Sequence, residues 1–65
     1  MNQTPLAKIL FERQLKQVDV ARAVGISDTQ MNRIARGRRL PTHDEIRRLS
    51  EYLQVPQKQL VMGDQ

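Results

Sequence analysis

The chain has 65 residues and a formal net charge of +4, from eleven Lys and Arg against seven Asp and Glu, with no cysteine. That length holds one small domain, residues 1–65 as a single unit. Disulfides and thiolate metal sites are excluded, and the single histidine, His43, cannot build a zinc site alone. The longest apolar runs are Ile9-Leu10-Phe11 and Leu60-Val61-Met62. A membrane span needs about twenty such residues and a signal peptide about seven. A soluble, intracellular protein is expected. Ordering a residue costs about 1.5 kcal/mol, so almost every aliphatic side chain is needed for the core. Little remains for a small-molecule cavity, typically about 300 Å³ or more. No enzyme, cofactor or small-molecule ligand is expected. With only Phe11 and Tyr52 aromatic, an RNA-stacking platform is disfavoured.

The apolar spacing predicts five helices. Thr4-Pro5 is a start signal, an N-cap followed by proline at the first helical position. Leu6, Ile9 and Leu10 then form an inner stripe, with Arg13 at its wet end, over about Pro5 to Gln14. The second helix is predicted over about 17–24, with Val20, Ala21 and Val24 inside, ended by Gly25. Ser27 with Gln30 three places on reads as a capping box opening a third helix over about 28–35, with Met31 and Ile34 inside and Gly37 after it. Arg38 to Pro41 is a linking loop. Thr42 with Glu45 is a second capping box, opening a fourth helix at His43 with Ile46, Leu49 and Leu53 inside. It stops before Val55-Pro56. A short fifth helix runs from about Gln57 to Val61 and ends at Gly63, leaving Asp64 and Gln65 to fray.

The informative stretch is Gln17 to Ile34. Two helices crossing steeply around a short turn need a small side chain at their closest approach, which Ala21 supplies. The turn needs a positive φ, which Gly25 supplies. The outer face of the third helix then carries Asp28, Thr29, Gln30, Asn32, Arg33 and Arg36, none aliphatic. Arg33 suits guanine O6/N7, a contact worth about 1–3 kcal/mol of discrimination, and Asn32 suits adenine. Residues 33–48 hold six arginines against Asp44 and Glu45, so the positive excess collects at the end of the third helix, the loop after it and the fourth helix. Arg47 stands where it can pair with Glu51 on the helix surface. His43 reads as an exposed first-turn residue, and Phe11 as either core or partner surface.

Residues 17-QVDVARAVGISDTQMNRIARG-37, with the ending 55-VPQKQLVMG-63, resemble the Cro and repressor family of lambdoid phages, the XRE-type helix-turn-helix. The resemblance runs over about Leu6 to Gly63. It implies an all-α, five-helix, lambda-repressor-like DNA-binding domain whose third helix is the recognition helix, lying in the major groove. It further implies base contacts from Asp28, Thr29, Asn32 and Arg33. Phosphate contacts would come from Gln17, Gln30, Arg36, Arg38 and Arg39. Many members carry glutamine where this chain has Asp28. Many pair an arginine and a glutamate where this chain has Leu10 and Ala35, so an apolar contact is expected instead of an ion pair. The family's pairing surface lies near the fourth and fifth helices, where Leu40, Val55, Pro56, Lys58 and Gln59 are the dimer candidates.

The sequence thus reads as a complete small transcription regulator. Two copies would bind a pseudo-palindromic double-stranded DNA operator and block transcription, pairing in free solution or only on DNA. The alternatives are an antitoxin or restriction-control regulator of the same fold, and a protein-interaction module. An aliphatic outer face on the third helix would favour the latter, and that face is polar.

Overall fold

A computed structural model describes residues 4–62. It contains α1 (Pro5–Glu12), α2 (Gln17–Val24), α3 (Asp28–Ala35), α4 (His43–Leu53) and α5 (Gln57–Met62), and no strand among the described residues. The predicted Gly63 stop and the fraying of Asp64 and Gln65 lie outside that range. No helix among the described residues is long and apolar enough to cross a membrane.

Helix starts follow the capping residues. Thr4, Ser27 and Thr42 each accept a backbone N–H from three residues on, at 3.1, 3.2 and 3.1 Å. Glu45 returns the bond to the Thr42 N–H at 2.9 Å, completing that capping box. At Ser27 the structure gives only the first half of the predicted box, the bond from the Gln30 N–H.

Helix ends share one device. After each of α1 to α4 a residue turns into the left-handed region: Gln14, Gly25, Gly37 and Gln54, with φ of 56, 76, 76 and 56°. The next N–H then reaches back five residues, Leu15 to Leu10, Ile26 to Ala21, Arg38 to Arg33 and Val55 to Ser50. These bonds satisfy carbonyls that a helix end otherwise leaves orphaned. Glycine does this without steric cost at two ends, and glutamine does it at the other two. That is why α1 stops at Glu12 rather than running to Gln14 as predicted: no glycine marks the place.

One core holds the helices together. It takes Leu6, Ile9 and Leu10 from α1, Val20, Ala21 and Val24 from α2, and Met31, Ile34 and Ala35 from α3. Ile26, Leu49, Leu53, Val55 and Leu60 complete it, with Ile46 packed at its edge. Leu10 and Ala35 are both buried here, the apolar replacement expected for an ion pair. Phe11 is 75% exposed, which settles it outside the core. Helix α2 packs on α3 and α4, α1 on α3 and α5, and α4 on α5. Among the described residues, none of the other helices covers the outer face of α3.

Left-handed backbone costs a non-glycine residue about 1–2 kcal/mol, against about 0.5–1 kcal/mol for the extra entropy glycine loses on ordering. Gln54→Gly should therefore raise stability by a few tenths to about 1 kcal/mol, and Gln14→Gly likewise. A thermal melt of each variant checks this, and a lower midpoint for both would contradict the strain assigned to these ends.

Candidate nucleic-acid interface

The candidate surface is built on α3. Its inner residues Met31, Ile34 and Ala35 are consumed by the core, so the remaining side chains must point away. Asp28, Thr29, Asn32, Arg33 and Arg36 are all exposed, and Gln30 is half-buried. The turn before α3 is held from both sides. Gly25 supplies the left-handed residue, and the Ile26 side chain is buried beneath it. Asp28 stands in the first turn of α3, where a carboxylate is favoured by the helix dipole.

Charge is sorted by α4. Arg47 pairs with Asp44 at 2.5 Å and with Glu51 at 3.6 Å, the latter being the predicted i, i+4 contact. Arg48 pairs with Asp44 at 2.8 Å. Arg33, Arg36 and Arg38 make no ion pair among the described residues. They form an unpaired positive edge where α3 gives way to the loop.

Arg39 is placed otherwise than the sequence suggests. Its guanidinium donates to Glu45 Oε2 at 2.9 Å and to the Leu40 carbonyl at 3.2 Å. Glu45 is already fixed by the Thr42 capping box, so Arg39 is drawn inward against the start of α4 instead of out toward a phosphate. The bond from Arg39 also holds the Glu45 carboxyl below its ordinary value of 4.5, opposed by partial burial and assisted by the Thr42 N–H.

The start of α2 differs from its neighbours. Its N-cap is Lys16, which makes no side-chain capping bond, whereas Thr4, Ser27 and Thr42 cap α1, α3 and α4. Gln17, half-buried, is the first helical residue there. The Asp19 N–H turns back to the Lys16 carbonyl at 3.1 Å, which leaves only the Gln17 and Val18 amides of the first turn without an acceptor among the described residues.

Two side chains that position this surface have no signature in the sequence. Arg48 donates to the Val24 carbonyl at 3.3 Å, closing the end of α2 from α4. Thr4, legible only as the cap of α1, donates to the Ala35 carbonyl at 2.6 Å, closing the end of α3 from the other side.

The order of helices and the Ala21–Gly25 turn between α2 and α3 are those of a helix-turn-helix. A family model described as a helix-turn-helix domain matches residues 12–61, most of the chain. The chain belongs to the helix-turn-helix domain family. No curated protein and no solved structure matches it. The helix-turn-helix match takes in α2 to α4 whole, nearly all of α5 and the loop carrying Arg38 and Arg39. It therefore covers every residue of the candidate surface.

A carboxyl whose folded value is depressed adds stability above its unfolded value, and that stability is lost as pH falls through the folded value. The melting temperature should therefore drop between about pH 5 and pH 3 more steeply in the natural chain than in Glu45→Gln. Parallel curves for the two would remove Glu45 from the acid response.

Proposed function

We propose that this protein is a sequence-specific regulator of transcription that lays α3 in the major groove of duplex DNA and acts by occupancy, not by catalysis. One observation carries the reading. On the exposed face of a helix-turn-helix recognition element, side chains suited to reading bases stand beside arginines that the carboxylates of the described residues leave unpaired. Base contacts come from Thr29, Asn32 and Arg33, with Asp28 able to accept from cytosine N4. Phosphates are held by Arg36 and Arg38, by Gln30, and by Gln17 at the uncapped start of α2. Membership of the family supports the duplex as partner.

A Cro-type or repressor-type role follows, with two copies on a pseudo-palindromic operator. A single helix reads only about four to six base pairs, and two-fold pairing doubles the site. The pairing surface proposed from the sequence changes in one respect. Val55 is only 7% exposed and belongs to the core, because it folds under the end of α4 where Ser50 Oγ donates to its carbonyl. Leu40 and Val61, 86% and 59% exposed, are two of the large apolar side chains at the surface. Both edge a recess of about 200 Å³ floored by Leu6, Ile34, Leu49 and Leu60. Pro56, Lys58 and Gln59 remain at the surface or partly so. An antitoxin or restriction-control role would use the same α3 surface.

Binding of random and selected duplexes, measured against salt, tests the reading. Arg33→Ala should relax sequence choice at one position per half-site, at about 1–3 kcal/mol of discrimination. Arg38→Ala should weaken all sequences alike and reduce the salt slope by about one per copy. An unchanged consensus from Arg33→Ala would remove base readout by that residue. Absence of duplex binding by the natural chain would remove the function.

A further inference from the structure

An α-helix leaves its last four carbonyls without partners inside the helix. In α3 these belong to Asn32, Arg33, Ile34 and Ala35. Three are met by the chain that follows. The Arg36 N–H donates to Asn32 at 3.0 Å, the Arg38 N–H to Arg33 at 2.8 Å, and the Gly37 N–H to Ile34 at 3.1 Å. The fourth is met from across the molecule. The Thr4 hydroxyl donates to the Ala35 carbonyl at 2.6 Å, from thirty-one residues away in sequence.

The same hydroxyl oxygen accepts the Ala7 N–H at 3.1 Å. One donor and one acceptor function of a single group are thus both used, the first on the end of α3 and the second on the start of α1. The methyl of Thr4 has a place as well. Its Cγ2 lies 3.2 Å from where a side chain on Gly37 would begin. Gly37, at φ +76°, is the residue between Arg36 and Arg38. Threonine therefore meets the exit of α3 in two ways, by a hydrogen bond at Ala35 and by a methyl that fills the space where a side chain on Gly37 would stand.

We propose that Thr4 is a positioning residue for nucleic-acid binding, fixing the exit of α3 so that Arg36 and Arg38 engage phosphate together with the base-reading face. The inference rests on the function proposed above. It assigns to the start of α1, which carries none of the candidate contacts, control over how many phosphates are held.

The test compares the natural chain with Thr4→Ser and Thr4→Val on random and selected duplexes across a salt series, well below each melting temperature. Thr4→Ser keeps the hydroxyl and should bind within about twofold of the natural chain. Thr4→Val should weaken both duplexes alike, by about five- to tenfold, and lower the salt slope by about one, with the consensus unchanged. Mere loss of the α1 cap would lower the melting temperature and leave the slope alone. Wild-type affinity and slope in Thr4→Val, alongside weakened binding by Arg38→Ala, would overturn the clamp and leave the DNA reading standing. No duplex binding by the natural chain would overturn both.

A second variant covers the case in which Thr4→Val does not fold. Thr4→Asp can cap α1 but has no proton to give Ala35. Without DNA present, its Gly37 and Arg38 amides should exchange with solvent at least about fivefold faster than in the natural chain, while the α1 amides keep their rates. Unchanged exchange at Gly37 and Arg38 would overturn the proposal.

Discussion

Everything on the outer face of this domain depends on the packing of α2 against α3. Neither Ala21 of α2 nor Met31 of α3 has any exposed surface. An eight-residue helix is far too short to persist in water unaided, so α2 and α3 exist only because they bury these faces against each other and against the remaining helices. The burial consumes Met31, Ile34 and Ala35 completely. It thereby releases the remaining positions of α3 from any packing duty. A polar, hydrogen-bonding rod on a rigid support is the direct result, and rigidity is what a base-reading surface needs, since side chains on a loop would have to be ordered on every encounter.

The second consequence concerns charge availability rather than charge number. Residues 33–48 hold six arginines, and a count alone treats them as one basic patch. The fold divides them equally. Arg39, Arg47 and Arg48 face carboxylates of α4, while Arg33, Arg36 and Arg38 do not. The exposed pairs of Arg47 and Arg48 contribute little stability, since solvent and salt screen them. Their larger effect is on the field outside the protein. Pairing offsets the positive charge over α4 and leaves that of Arg33, Arg36 and Arg38 available at the exit of α3, where the proposed function would draw a phosphate backbone.

Much of this was legible in the sequence, because it rests on local chemistry. The ranges of α2 and α3 follow from the Ala21, Gly25 and Ser27 positions, and both match the structure. The start of α4 follows from Thr42 and Glu45. What escaped is what depends on residues distant in sequence or lacking a signature. Gln14 adopts a conformation usually left to glycine, so nothing in the chain announced the end of α1, whereas Val55-Pro56 marked the end of α4 although its left-handed residue is Gln54. Arg39 carries the same charge whether it meets a phosphate or Glu45. Only the capping box that anchors Glu45 decides between them, by placing a fixed carboxylate within reach. Val55 precedes a proline and reads as surface. It is buried because the left-handed turn at Gln54 redirects the chain under α4.

The same limit explains the least predictable part of the architecture, the closing of helix ends by side chains from elsewhere. The Val24 carbonyl takes Arg48, the Ala35 carbonyl takes Thr4, and the Leu53 carbonyl takes Arg13. At two of the three ends the donor is a guanidinium, which also suits the negative pole of the helix dipole. Arg48 shows how such a bond reaches a turn from another helix. Its guanidinium bridges Asp44 and Val24, and one nitrogen lies 3.4 Å from where a side chain on Gly25 would begin, an ordinary contact. Gly25 is thus required by its positive φ and not by lack of room. The turn between α2 and α3 is specified once by its own residues and again from α4. A turn fixed from both sides can present α3 at one angle, and one angle is what a groove of fixed width demands.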